Sequence, residues 1–230
     1  VPVDHDGEPW LEKQKEIAAG YVTLEQTKET VVEQIANLSQ VSIVPNCDEY
    51  AIEYLPLSEL FDTIKGKSKY TKKYGNLHSG PYPVYSASSQ GTLTHLDTYD
   101  YDGRYMTWST NGFAGTILIL DGKFSINGDR GILVPKNGRQ DLDFDYMKFT
   151  LEPIFRELAK GRKGDNGEDE FTKLYPSMLS NIMVPIPVDG KGNISLLLQK
   201  EIAQKFISVQ NSQKEIIEKL DALISKKISI

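Results

Sequence analysis

The chain holds 230 residues, 39% of them hydrophobic, enough to bury one or two cores. No apolar run approaches the roughly 18–20 residues that a membrane span needs. The single cysteine, Cys47, excludes an internal disulfide and any cysteine-built zinc cluster, so a reducing, cytoplasmic setting is expected. A net charge of −6 weighs against nucleic acid, because phosphate binding is built from Lys and Arg. The signs are segregated, however. Acids gather in "DTYDYDG" and "GDNGEDE", while "KGKSKYTKK" (Lys65–Lys73) carries five lysines and "AKGRKG" (Ala159–Gly164) three bases, neither with an acid. Each basic stretch alone reads as a solvated loop; together they suit one basic face.

In chain order, the opening "VPVDHDGEPW" is charged, lacks Met and lacks the apolar core of a signal peptide, which predicts a fragment or a processed form. A long helix follows. Ile17, Tyr21, Leu24, Lys28, Val31, Ile35 and Leu38 succeed one another in steps of four and three, the seam of a coiled coil. The same text returns near the other end: "QKEIA" stands at Gln14–Ala18 and again at Gln199–Ala203, 185 positions on. At that offset Val1–Asp4 aligns with Ile186–Asp189, Gly7 with Gly192, Leu11 with Leu196 and Tyr21 with Phe206. The second seam is Ile202, Phe206, Val209, Gln213, Ile216, Leu220 and Leu223. Some 28 helical residues make a rod of about 40 Å. Neither rod can hide its stripe alone; each needs the other, or a copy of itself. One seam position is polar in both, Lys28 and Gln213. It either fixes register or lies at the rim with Lys28 reaching outward, and both readings stay open.

Pro45, Asn46 and Asp48 break the first helix and predict a linker over 41–52. A second body, 53–185, begins there. "LSELFDTI" reads as a short helix capped by Ser58, with Leu60, Phe61 and Ile64 inward. Short β-like runs follow: "YPVYSAS", "RYMTWST", "AGTILIL", "GKFSI" and "GILVP". "TILIL-DG-KFSI" signals a hairpin with a type I′ turn at Asp121-Gly122. "DFDYMKFTLEPIFRELAK" returns to helix, interrupted near Pro153. The class is α+β: a mixed body of short twisted strands plus two long coiled-coil-forming helices.

The loops "SASSQGT", "WSTNGFAG", "NGDRG" and "GRKGDNGEDE" combine glycine, which lets backbone approach a partner closely, with the Ser, Asn, Gln and Arg groups that read base edges. Tyr70, Tyr74, Tyr85, Tyr99, Tyr101, Tyr105 and Trp108 are interleaved. Singly, each aromatic reads as packing; collectively they point toward nucleic acid. Catalytic signals are thin. There is no P-loop, no G-x-G-x-x-G, no G-x-S-x-G, and His5, His78 and His95 are scattered. "DGKFSINGD" lacks the acidic spacing of an EF-hand. No metal and no cofactor are expected.

Six stretches then carry a family resemblance: "LSELFDTIKGKSKYTKKY", "GPYPVYSASSQGT", "YMTWSTNGFAGTI", "GKFSINGDRGILVPK", "LEPIFRELAKGRKGDNGEDEFTKLYPSMLSNIMVPIPV" and "LLQKEIAQKF". Together they closely resemble the specificity (S) subunit of type I restriction–modification systems, over nearly the whole chain. The resemblance implies a target recognition domain at 53–185, between conserved helical segments at 1–40 and 186–230. It implies antiparallel helices that act as a ruler, with Ile17, Tyr21, Leu24, Val31 and Ile35 facing Ile202, Phe206, Val209, Ile216 and Leu220. It also implies double-stranded DNA as target, methyltransferase (M) subunits docked on the helices, and restriction (R) subunits reached through them. The chain itself would be non-catalytic. The family typically carries two recognition domains and this chain has one, so it is expected to be half of a larger subunit or a half-subunit that works as a homodimer.

On that scaffold, phosphate contacts are expected from Lys65, Lys67, Lys69, Lys72, Lys73, Lys160, Arg162 and Lys163. Base reading is expected from loops carrying Ser86, Ser88, Gln90, Arg104, Asn111, Asn127 and Arg130, with Tyr70 and Trp108 beside them. Arg130 has a competing structural reading, as the partner of Asp129 or another acid. The rival function is a non-DNA protein-interaction adaptor on a coiled-coil scaffold; a hydrolase comes third.

Overall fold

The computed structural model describes residues 2–3, 5–40, 49–163 and 169–224. The chain divides into two compact units, one of residues 1–43 and 206–230 and one of residues 44–205. The second boundary between these units falls inside the last helix, between Lys205 and Phe206. Most of the expected linker, 41–48, lies outside the described residues.

The helical unit contains α1 (Leu11–Gln40) and the distal part of α5 (Leu196–Ile224). On α1 the expected stripe is its least exposed line: Ile17, Leu24, Lys28 and Val31 are partly covered and Ile35 is buried, while Tyr21 stays exposed. On α5 the covered line runs Phe206, Gln213, Ile217, Leu220, Ile224, and Val209 and Ile216 are each 50% exposed. This corrects the seam drawn through Ile216. Adjacent isoleucines at 216 and 217 fit steps of three and four alike, and a straight helix of 3.6 residues per turn drifts off a strict heptad. The Lys28 ammonium turns to Glu25 of its own helix at 3.1 Å, as a rim residue does.

The repeat is structural as well as textual. In both copies a one-bridge turn precedes the helix, Val3 against Pro9 and Val188 against Ile194. Gly7 and Gly192 turn it with φ of 83° and 78°. The closing hydrogen bonds also repeat: Trp10 N–H to the Pro2 carbonyl and Ser195 N–H to the Pro187 carbonyl, each 2.9 Å.

The globular unit is built from short strands that switch sheets. β1 (Ile52–Pro56) pairs antiparallel with β13 (Met183–Pro187). A four-stranded antiparallel sheet has the order β2 (Phe61–Lys65), β10 (Arg130–Pro135), β6 (Tyr105–Ser109), β8 (Ile117–Leu120). A second runs β4 (Thr94–Leu96), β3 (Tyr82–Tyr85), β9 (Lys123–Ile126), β5 (Tyr101–Asp102). A third has β11 (Lys160–Lys163), β12 (Asp169–Lys173) and β7 (Asn111–Gly112). β8 and β9 are therefore not a hairpin. β8 pairs with β6, and β9 pairs with β3 and β5. Gly122 has φ of 83° while Asp121 stays at negative φ, which rules out a type I′ turn.

Two further expectations are corrected. Only Leu57–Leu60 are helical (α2), after Pro56 rather than a Ser58 cap, and Phe61–Lys65 continue as strand with Ile64 42% exposed. Helix α4 (Phe144–Leu158) runs unbroken through Pro153. It is capped by the Asp143 carboxylate on Tyr146 N–H at 2.9 Å and buries Tyr146, Met147, Thr150, Leu151 and Phe155. A short helix, α3 (Lys72–Leu77), is capped by the Thr71 hydroxyl on Tyr74 N–H. The core gathers Leu120, Phe124, Ile126 and Ile132 with Tyr85, Tyr101 and Tyr105, and a second cluster joins Tyr70, Val84 and Leu96. No helix among the described residues is long and apolar enough to cross a membrane.

Candidate nucleic-acid interface

The corner Asn127–Asp129, where the chain leaves β9 for β10, forms one wall of a cleft of about 330 Å³. Lys65, Ser68, Tyr70, Thr71 and Lys72 form the other, with Ser86 and Leu93 closing it. Glycine permits the approach: a Cβ on Gly66 would lie 2.2 Å from the Asn127 carbonyl oxygen, and one on Gly128 would lie 2.7 Å from Ser68 Oγ. Of the five lysines in 65–73, only Lys67 has an ion-pair partner among the described residues, Asp100. That contact holds its ammonium above the ordinary range. Asp100 also accepts from the Tyr70 hydroxyl at 3.0 Å, and burial followed by that carboxylate raises the Tyr70 phenol. Lys69 lies over the rings of Tyr70 and Tyr74, and Lys65 over Tyr175 at 4.8 Å. Lys72 and Lys73 stand exposed in the first turn of α3, an end that favours anions over cations.

Behind the cleft, Asp129 organises two amides. Asn111 Nδ2 donates to it at 2.6 Å and Asn127 Nδ2 at 3.4 Å, while Asp129 N–H donates to Asn127 Oδ1 at 3.0 Å. The Tyr175 hydroxyl donates to Asn111 Oδ1 at 3.5 Å. Both amides are thus engaged internally, and Asn127 is only 9% exposed. Asp129 borders the cleft, and its carboxylate, which takes one bond from each amide, keeps acceptor capacity of the kind that suits the exocyclic amine of a base.

Arg130 and Trp108 are corrected from contact residues to supports. Arg130 is fully buried. Its guanidinium donates to the carbonyls of Ser86 (2.6 Å), Ala87 (3.3 Å) and Ser88 (2.9 Å) and to Thr107 Oγ1 (3.1 Å). No carboxylate meets it among these partners. Burial pushes it down to about 10, still a cation at neutral pH. It grips the 86–90 loop from within, and the Ser88 hydroxyl, bonded to both backbone groups of Gln90, completes the turn. The Gln90 side chain is left exposed. Trp108 is buried, donates to the Leu174 carbonyl at 3.0 Å and stacks over Gly131, where a Cβ would lie 2.3 Å from its ring. Arg104 pairs with Asp145 at the start of α4 and takes no part in the cleft lining.

The expected basic loop at 160–163 is a strand. Lys160 faces Lys173, and Lys173 faces Asn111, across β11–β12–β7; opposed residues in an antiparallel pair share a face. Lys160, Arg162 and Lys173 are exposed, and this row reaches the Asn111–Asp129 network where Lys173 opposes Asn111. The Lys163 side chain lies outside the described residues.

Residues 51–229 match the model of a family described as the type I restriction modification DNA specificity domain. The chain belongs to this family. A putative type I specificity subunit of Mycoplasma pneumoniae is 37% identical over 160 residues, covering 68% of this chain and 58% of that protein. The specificity subunit of the type I restriction enzyme MpnII from the same organism is 37% identical over 157 residues, covering 67% and 43%. The S subunit of a type I system from M. genitalium superposes with a TM-score of 0.54 at 16% identity, over 74% of this chain and 42% of that one. The HsdS subunit of Thermoanaerobacter tengcongensis gives 0.54 at 16% identity, over 93% and 52%. This specificity-domain chain thus spans about half the length of the relatives it matches.

Within the specificity domain, Lys65, Tyr70, Lys72, Ser86 and Asn127 meet at one cleft. Sequence reasoning missed Asp129, Lys173 and Tyr175, which join the network only through strand register and the β9–β10 corner. No one-dimensional signal marks them.

Proposed function

We propose that this chain reads one half of a bipartite DNA sequence for a type I restriction–modification enzyme and performs no chemistry itself. The observation that carries this is the cleft at the β9–β10 corner. Lys65 and Lys72, without ion-pair partners among the described residues, line it together with Asp129, and Gln90 is exposed on the loop that begins at Ser86 of the same cleft. The lysines would take phosphates and set position, and Gln90 and Asp129 would meet base edges. Methylation and cleavage would belong to M subunits docked on the long helices and to R subunits recruited through them.

The two copies of the helical segment support a bipartite arrangement. In the second, Gln199 is fully buried and clamps the globular unit: its Nε2 donates to the Asp141 carbonyl and its Oε1 accepts from Asp143 N–H, each at 2.9 Å. Ile202 and Ala203 are buried beside it. In the first copy the equivalent Gln14 and Ile17 are only partly covered, and Ala18 is exposed. That face has the chemistry to seat a second recognition domain, from the same polypeptide or from a second copy.

Methylome sequencing of cells expressing the chain with an M subunit tests the reading: it predicts a bipartite modified motif. In vitro, Lys72→Glu/Lys73→Glu should weaken binding to all duplexes alike and lower the slope of log K against log salt by about two, roughly one per lost phosphate contact. DNA binding that stays at background with M subunit present would favour the adaptor reading.

A further inference from the structure

The corner between β9 and β10 is pinned to three distant parts of the chain. Asn127 N–H donates to the Tyr85 carbonyl at 2.9 Å, and Gly66 N–H donates to the Arg130 carbonyl at 2.9 Å. The Asp129 carbonyl accepts from Thr110 N–H at 2.9 Å, and the buried Thr110 hydroxyl donates to the Gly128 carbonyl at 3.3 Å. Asp129 N–H goes to Asn127 Oδ1, and Arg130 N–H closes onto the Asn127 carbonyl at 3.1 Å. Both backbone groups of Asp129 are thus satisfied without its carboxylate.

The carboxylate itself has only the Asn111 and Asn127 amides as partners among the described residues, and neither a cation nor a backbone N–H. A carboxylate that served only the turn would cap a backbone N–H, as that of Asp143 does at Tyr146. The two amides are fixed with their nitrogens toward Asp129, because Asn127 Oδ1 accepts from Asp129 N–H and Asn111 Oδ1 accepts from the Tyr175 hydroxyl. A carboxylate offers about four lone-pair sites, and one bond from each amide leaves some of them open. Asp129 is only partly buried and lines the cleft together with Lys65 and Lys72. The corner therefore holds, at a fixed place, an acceptor with no donor of its own.

Base edges differ in how they meet such a group. In the major groove guanine presents two acceptors, thymine an acceptor and a methyl, adenine an acceptor beside its amine, and cytosine its amine with no acceptor. An acceptor-only side chain is repelled by guanine and thymine, half matched by adenine and matched by cytosine. We propose that Asp129 selects a cytosine in the half-site by accepting a hydrogen bond from its exocyclic N4 amine, while Lys65 and Lys72 hold the flanking phosphates. This rests on the DNA-reading function proposed above and deepens it, naming the base that one side chain reads.

The test uses the full chain, with an M subunit present, to select binders from a pool of random duplexes. The parent should return a motif with a fixed C·G pair. Asp129→Asn sets a donor beside the acceptor, so it should shift that position toward adenine and keep the rest of the motif. On the selected duplex, replacing that cytosine by 2-pyrimidinone, which lacks the amine, should weaken the parent about tenfold and leave Asp129→Ala unaffected. A 2-pyrimidinone scan over every cytosine of the motif needs only the parent and serves if the variants misfold. A motif without a fixed C·G pair, or a cytosine preference that Asp129→Asn retains, overturns the assignment. So does a scan in which parent affinity stays within about twofold at every cytosine. Failure of the parent to enrich any motif overturns the DNA reading itself.

Discussion

Replacing Arg130 with Met asks whether a buried cation holds the 86–90 loop in place. The guanidinium makes three hydrogen bonds of 2.6 to 3.1 Å and a longer one of 3.3 Å, three of the four to consecutive loop carbonyls. Bonds from a charged donor are worth roughly 1.5–3 kcal/mol each, so the three shorter ones alone make the gross loss about 5–9 kcal/mol. Met keeps much of the volume and removes the several kcal/mol that burying a guanidinium costs. Water can reach part of what is released, because Ser88 is exposed. The net destabilisation should be about 2–4 kcal/mol. Urea unfolding gives the magnitude, and hydrogen exchange gives the place, with faster exchange confined first to Ala87–Gln90. Arg130→Lys should recover little, since a single ammonium cannot span three carbonyls. A loss under about 0.5 kcal/mol with unchanged loop exchange would refute the reasoning, for it would mean the turn needs no internal cation.

Three other substitutions probe separate joints. Gln199→Ala empties a buried side-chain site and leaves the partly buried Asp141 carbonyl and Asp143 N–H without these partners, and should cost about 2–4 kcal/mol, whereas Gln14→Ala at the equivalent, partly exposed position should cost under about 0.5 kcal/mol, both by thermal or urea melts. Gly66→Ala drives a methyl into the Asn127 and Ile126 carbonyls; it should cost about 1–3 kcal/mol and weaken DNA binding by displacing the corner from the lysine wall. Asp141 is held below the ordinary carboxylate value of 3.8, first by its hydrogen bond with Arg139. An acid with a depressed folded pKa stabilises above its unfolded value and loses that contribution as pH falls through the folded one. The stability difference between parent and Asp141→Asn should therefore be constant from about pH 7 to 5 and shrink below about pH 4, by no more than about 1 kcal/mol because the pair is partly exposed.

Local chemistry was readable from the chain alone. The 185-residue repeat and its Gly7 and Gly192 turns, the long helices, the basic run at Lys65–Lys73 and the family resemblance rest on spacing and residue type, which act over a few residues and leave a linear trace. The α5 stripe was ambiguous between Ile216 and Ile217 because both satisfy the same period, and only packing chose between them. The β8–β9 hairpin failed because a turn signal reports where the chain bends and not which strands it then joins. Arg130 carries the same composition as a surface base reader; its burial against Ser86, Ala87 and Ser88 depends on carbonyls more than forty positions away. The cleft likewise required Gly66, Asn127 and Asp129 to meet. Periodicity and charge are properties of neighbours in sequence, whereas register, burial and the convergence of distant polar groups exist only once long-range pairing has closed the fold.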